Sequence, residues 1–131
     1  MKRSFKCDLL NIDEYYNGKN GKFWVAVNEN NQIVGHIALD ATSLNNKGSV
    51  ELRRCSVANN YQKNGIGKLL VEFFLDKAIN EYKAKHVFLT TKNLRYPAIR
   101  LYEKCGFHVS NYNIKHIFLK INFLKMEKYL N

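Results

Sequence analysis

Ahead of a long apolar-periodic stretch the chain reads Gln62-Lys63-Asn64-Gly65-Ile66-Gly67-Lys68. Two glycines at a helix start let the backbone approach a ligand closely. Successive N–H groups then point at one spot, and the helix dipole adds positive potential there. Lys63 and Lys68 add formal charge, so the arrangement suits a diphosphate. The plainer alternative is a tight turn with no ligand. The spacing is not that of a P-loop, and no third glycine follows Gly67 as the dinucleotide fingerprint requires. Just upstream, Leu52-Arg53-Arg54-Cys55-Ser56-Val57 sets two guanidiniums side by side. They are either clamps for a substrate carboxylate or solvated strand arginines.

The remaining reactive side chains narrow the field. Cys7, Cys55 and Cys105 are odd in number and form no CxxC, so no disulfide scaffold is expected; a reducing, cytoplasmic compartment is the simpler reading. Cys55 reads better as a small buried hydrophobe than as a nucleophile. His36, His86, His108 and His116 are scattered without zinc spacing, and no metal is expected. Lys and Arg number 21 against 11 Asp and Glu, a net charge of +10. That excludes an acidic disordered chain and points to anionic partners.

Something must hold these groups in place. The 131 residues suit one domain, and 46% hydrophobic content is enough for a core. The longest apolar run, Phe23-Trp24-Val25-Ala26-Val27, is far short of the ~20 residues that cross a bilayer. The basic start has no apolar stretch behind it, so no cleaved signal peptide is expected. The spacing of Leu9, Ile12 and Tyr15 or Tyr16 predicts a short helix from Asp8 to Tyr16, ended by Asn17-Gly18-Lys19-Asn20-Gly21. Phe23 to Val27 and Ile33 to Leu39 read as a hairpin around Glu29-Asn30-Asn31. Ser43 to Gly48 is a loop and Ser49 to Val57 a third strand. Ile66, Leu69, Leu70, Phe73, Phe74 and Ala78 trace an amphipathic helix from Gly65 to about Ala84. Val87 to Thr91 is a strand, and Tyr96 to Lys104 a second helix with Pro97 in its first turn and Gly106 past its end. Phe107 to Val109 and Ile117 to Phe123 close the chain as antiparallel strands. This order is α/β with a mixed sheet. In the third strand Val50 and Leu52 share one parity, Cys55 and Val57 the other. Either a β-bulge at Arg53-Arg54 shifts the face, or the strand is buried on both faces beyond Arg54.

The Gln62–Lys68 loop is followed, about thirty residues on, by Tyr96-Pro97-Ala98-Ile99-Arg100-Leu101-Tyr102-Glu103-Lys104-Cys105-Gly106-Phe107. Together these resemble the GNAT acyl-CoA-dependent N-acetyltransferases over about Phe23 to Val109. Lys22-Phe23-Trp24-Val25-Ala26-Val27, Gln32-Ile33-Val34-Gly35, Glu51-Leu52-Arg53-Arg54-Cys55-Ser56-Val57 and Leu89-Thr90-Thr91 look most like the camello-like branch, which includes cysteine-S-conjugate N-acetyltransferases. The resemblance implies a GNAT-like mixed, mostly antiparallel sheet with a splayed central strand pair and flanking helices. One N-acetyltransferase domain would span 1–131, shortened at the N-terminus. Acetyl-CoA would be the cosubstrate. Backbone groups of Cys55, Ser56 and Val57 would pair with the pantetheine arm, and Gln62, Lys63, Asn64, Gly65, Ile66, Gly67 and Lys68 would hold the pyrophosphate. Tyr102 would protonate the leaving thiolate. Family members carry Asn seven residues before that tyrosine; here Arg95 stands there, with Asn93 nearby, and Arg95 would reach phosphate or pantetheine. Camello-like relatives carry an apolar membrane anchor that this chain lacks, so it is a soluble relative or an incomplete chain. The partner would be an amine-bearing small molecule or peptide, with a homodimer open.

Acyl transfer to an amine needs a proton acceptor. An alkyl ammonium has a pKa of ~10.4, so only about one in 10³ molecules is nucleophilic at pH 7. Glu51 is the only carboxylate on the third strand and is the candidate base; the alternative is a surface glutamate paired with Arg53. Some relatives place a glutamate in the next strand, where this chain has Thr90. The N–H of Val57 is the candidate oxyanion donor. Two other readings stand beside the transferase: a coenzyme A-binding domain without activity, and a basic nucleic-acid-binding module, which no RRM, KH or zinc motif supports.

Overall fold

The computed structural model describes residues 2–4, 11–18, 20–116 and 121–130. Among the described residues eight strands form one sheet: β1 (Lys2–Ser4), β2 (Asn11–Gly18), β3 (Gly21–Val27), β4 (Ile33–Asp40), β5 (Ser49–Val57), β6 (His86–Lys92), β7 (His108–His116) and β8 (Ile121–Tyr129). Their order is β1-β2-β3-β4-β5-β6-β8-β7. Among the described strands only β5 and β6 run parallel. A short α1 (Leu44–Lys47), a long α2 (Ile66–Asn80) and α3 (Tyr96–Lys104) complete the fold.

The apolar parity of each strand decides which face is covered. Trp24 of β3 meets Phe73 of α2 edge to face, ring centroids 5.4 Å apart. Ile37 lies opposite Trp24, and Leu39 opposite Leu52, so these side chains share the face that α2 covers. Val50, Val87, Leu89 and Met126 extend that buried layer across β5, β6 and β8. Phe23, Ala38 and Arg53 take the other parity and point to the opposite face.

The strand that carries the site is bent. β5 pairs with β6 only from Ser49 to Glu51, against His86 to Phe88. Beyond Glu51 it keeps β4 alone, while β6 runs on beside β8 to Lys92. The central pair is therefore splayed, as the resemblance implied. On its other edge the register jumps from His36↔Ser56 to Ala38↔Arg53, so Arg54 and Cys55 together oppose Ile37. That is a β-bulge, and it explains why the inward parity moves from Val50 and Leu52 to Cys55 and Val57. The alternative of a strand buried on both faces does not hold: Arg54 and Ser56 are exposed.

Arg54 reaches the bulge only by adopting φ 53°. A side chain in the left-handed region costs roughly 1–2 kcal/mol. Arg54→Gly is therefore expected to stabilise the fold by about 1 kcal/mol, raising Tm by about 4 °C in a thermal melt. An unchanged or lower Tm would show that positive φ at residue 54 carries no net strain.

Several expectations need correction. Residues 11–16 form strand β2, not the end of a helix; Asp8, Leu9 and Leu10 lie outside the described residues. So short a helix is marginal in water. Pairing with β3 from Asn11↔Val27 to Gly18↔Gly21 supplies a full ladder instead. At Gly21 a Cβ would strike the Leu39 carbonyl, so that turn position needs glycine. Within Ser43 to Gly48 the chain makes one helical turn, α1. The long helix stops at Asn80, where the N–H groups of Glu81, Tyr82 and Ala84 cap the last carbonyls. The last two strands are longer than their apolar patterns suggest, because each completes the other's ladder. β7 runs on to His116. β8 reaches Tyr129 rather than Phe123, with Leu124 and Met126 inward and Lys125 and Glu127 on the other face. It inserts between β6 and β7; Ile117 to Lys120 lie outside the described residues.

Candidate active site

The strand-to-helix loop is tied at its base. Gln62 Nε2 donates to the Val57 carbonyl at 3.0 Å and to Asn59 Oδ1 at 3.2 Å. Lys63 (φ 67°) and Gly65 (φ 81°) both sit in the left-handed region, which turns the chain sharply into α2. Gly65 is the N-cap, and no side chain caps this helix. Its first-turn N–H groups therefore have no side-chain acceptor among the described residues, and they open the way to an anion. The two glycines differ in purpose. A Cβ on Gly65 would meet open space, whereas one on Gly67 would press on Leu101 of α3 at 3.0 Å. Lys63, Asn64 and Lys68 are exposed around the loop.

Tyr102 comes from α3, whose first turn holds Pro97. Its ring is buried and packs on Phe107, centroids 5.9 Å apart. Its side chain lies beside the Cys55 thiol on the splayed part of β5, near enough for each group to influence the other's protonation. Burial raises the Tyr102 phenol above its ordinary value, and the neighbouring Cys55 adds to this, while Arg95 opposes it. Burial likewise pushes the Cys55 thiol up to about 11. Both groups are thus protonated at neutral pH. The Tyr102 phenol keeps its proton there, and Cys55 has too little thiolate to act as a nucleophile. Arg95 is the exposed N-cap of α3, and its charge acts on both Tyr102 and Cys55. Asn93 is half-buried, with its N–H on the Asn122 carbonyl at 3.1 Å. Thr90 is exposed.

Glu51 stands where β5 and β6 part. Burial raises its pKa, and Arg53, whose Nε lies 3.9 Å from Oε1, partly offsets this. Arg53 also reaches Asp40 Oδ2 at 3.2 Å. Asp40 is held below the ordinary carboxylate range, chiefly by the Thr42 hydroxyl at 2.7 Å. Beside this cluster lies a cavity of about 300 Å³ whose walls include Phe23, Ala38, Asp40, Arg53 and Arg54. Arg54 is exposed, and no side-chain partner holds its guanidinium among the described residues. The structure thus forms two groups, not one. Arg53 and Arg54 border the cavity, while the next residue, Cys55, turns inward to Tyr102. Glu51 belongs to the first group through Arg53.

One participant had no signal in the sequence. His36 Nδ1 lies 2.6 Å from the Arg54 carbonyl, and its ring stacks on Phe23 at 5.3 Å. A carbonyl only accepts, so Nδ1 carries the proton. Among the described residues no group of three or more His, Cys, Asp or Glu is placed to hold a metal, and no helix is long and apolar enough to cross a membrane.

A mixed sheet with a bulged, splayed central strand and an uncapped helix start after it is the framework of an acyl-CoA-dependent transferase. The model of the acetyltransferase (GNAT) family matches residues 3–107, and the chain belongs to that family. Among curated relatives it is 36% identical to Xenopus tropicalis "Probable N-acetyltransferase 14" over 79% of this chain and 48% of that protein. It is 38% identical to the N-acetylaspartate synthetase of the same species, over 79% and 37%. "Probable N-acetyltransferase camello" of Xenopus tropicalis matches at 32% over 86% and 50%, in line with the suggested branch. The chain thus spans about half or less of these relatives' length. Among solved structures, a GNAT family acetyltransferase from Elizabethkingia anophelis with acetyl-CoA bound superimposes with TM-score 0.79 at 19% identity, over 95% of this chain and 100% of that one. IAA acetyltransferase from Bacillus cereus gives 0.74 at 21%, over 86% and 79%.

Proposed function

We propose that this domain transfers an acetyl group from acetyl-CoA directly to a primary amine, with both substrates bound at once. The observation that carries this is the division of labour on β5. The cavity lies at Arg53 and Arg54, the Tyr102 hydroxyl meets Cys55, and the bulge stands between them. An amine in the cavity and a thioester at Tyr102 would approach from the two faces of the sheet and meet through the gap that opens where β6 leaves β5. Such positioning supplies ~7 kcal/mol or more, enough to offset the ~4–5 kcal/mol cost of deprotonating an ammonium.

The residues then have distinct tasks. The uncapped start of α2, with Lys63 and Lys68, receives the pyrophosphate, and the edge of β5 from Cys55 to Val57, which β6 leaves unpaired, receives the pantetheine. A backbone N–H there, that of Val57, faces the developing oxyanion. Glu51 takes the proton that the amine sheds as its nitrogen bonds to the acetyl carbon; its raised pKa suits a base. Tyr102 gives its proton to the departing sulfur. The acceptor is an amine that carries a carboxylate. Arg53 is already neutralised by Asp40 and Glu51, which leaves Arg54 as the cavity's unengaged cation among the described residues. The N-acetylaspartate synthetase among the relatives supports an anionic acceptor.

Two measurements test this. Acetyl-CoA at 100 times its Kd should stabilise the fold by about 2.7 kcal/mol, a rise of several degrees in Tm. No shift at millimolar acetyl-CoA would refute the cofactor reading. Thiol release across a panel of amino acids and their amides should favour the free acids by about tenfold or more in kcat/KM. Equal rates for acid and amide would refute the carboxylate. Binding without any thiol release would identify a coenzyme A-binding domain, the reading that Thr90 in place of glutamate favours.

A further inference from the structure

We infer that His36 is a positioning residue that clamps the bulge and so shapes the cofactor-binding edge of β5. The inference rests on the coenzyme A reading above and adds a residue to it. The bulge leaves Arg54 and Cys55 opposite Ile37 alone, so Arg54 falls out of the one-to-one pairing of β4 with β5. Its carbonyl accepts instead from a side chain of the neighbouring strand, His36 Nδ1–H, at 2.6 Å. His36 is itself braced. Its backbone faces Ser56, and its half-buried ring stacks on Phe23 with planes 28° apart. A rigid donor thus holds the one residue of β5 that sits at positive φ. The strain of that conformation persists only where surrounding contacts over-determine it. The residues immediately after it, Cys55 to Val57, are those whose backbone meets the pantetheine and whose first thiol meets Tyr102. Without the clamp Arg54 relaxes toward ordinary strand geometry, and the edge beyond it changes direction.

The test is coenzyme A affinity, measured by calorimetry on the whole chain, so that it does not depend on turnover. His36→Phe keeps an aromatic ring on Phe23 and loses the donor; it should weaken coenzyme A about tenfold. His36→Asn loses the stack but offers an amide N–H near the position of Nδ1; it should stay within about threefold of wild type. With glycine at residue 54, which takes positive φ without help, the loss caused by His36→Phe should shrink to less than about twofold. Thermal melts of all variants confirm that they fold. If His36→Phe binds as wild type does, or its loss is unchanged when residue 54 is glycine, the clamp is refuted and His36 merely packs. If the wild type itself fails to bind coenzyme A, the cofactor reading fails and the clamp's role falls with it. The two failures are therefore told apart by the wild-type titration.

Discussion

Tyr102→Phe is expected to lower kcat by about 10- to 100-fold while leaving acetyl-CoA affinity within a factor of a few. General acid catalysis contributes roughly 10²–10⁴-fold, and the lower end applies because a thiol with a pKa of ~8.5 leaves with little help. The ring stays, so the contact with Phe107 survives and only the hydroxyl beside Cys55 is lost. Removing one neutral hydroxyl costs about 1 kcal/mol, so Tm should move by only a few degrees. Assays of free thiol and titrations of acetyl-CoA measure the two quantities separately. An unchanged kcat would remove Tyr102 from the chemistry. The pH profile supplies a second check. Burial raises the phenol above its ordinary value of 10.0, so Tyr102 should contribute no loss of rate below about pH 10.

Glu51→Gln should lower kcat by about 100-fold and, at neutral pH, leave the protein slightly more stable than wild type. The second effect follows from the direction of the shift. Burial raises the Glu51 pKa in the folded state above its ordinary value of 4.5. The folded state then binds this proton more tightly than the unfolded state does, so stability falls as pH rises from 4.5 through the folded value. As pH rises through the folded value the carboxylate ionises in the folded state too and the burial penalty comes into force; glutamine removes it. The pairing with Arg53 that is lost is partly exposed and contributes at most about 1 kcal/mol. Melts of both proteins at about pH 4 and about pH 7.5 should show the variant's advantage only at the higher pH. A kcat that survives the substitution would leave a water chain as the proton acceptor.

Asp40 behaves in the opposite sense. Its lowered pKa, due chiefly to the Thr42 hydroxyl, contributes stability above its ordinary value of 3.8 that is lost as pH falls through the folded value. The two carboxylates flank Arg53, yet burial prevails only at Glu51, whose pKa is raised; at Asp40 the Thr42 hydroxyl outweighs burial and the pKa is lowered. That difference is why Glu51, and not Asp40, is assigned the proton transfer.

Local pattern suffices for the elements whose burial repeats with a clear period. Ser49–Val57 and Tyr96–Lys104 match the reading of the sequence residue for residue, because alternating apolar residues and the Pro97 and Gly106 boundaries are local chemistry. The parity slip at Arg53-Arg54 is visible for the same reason, and so is the glycine loop before α2. Residues 11–16 mislead, because a helical spacing of three or four and a strand with a bulge between Glu14 and Tyr16 place similar side chains at similar intervals. Only the pairing with β3 separates them. The sign of φ at Arg54, the meeting of Cys55 with Tyr102 and the grip of His36 on the bulge carbonyl depend on which strands lie side by side and in what register. Those are long-range choices, made by burial of the whole core, and no window of neighbouring residues carries them.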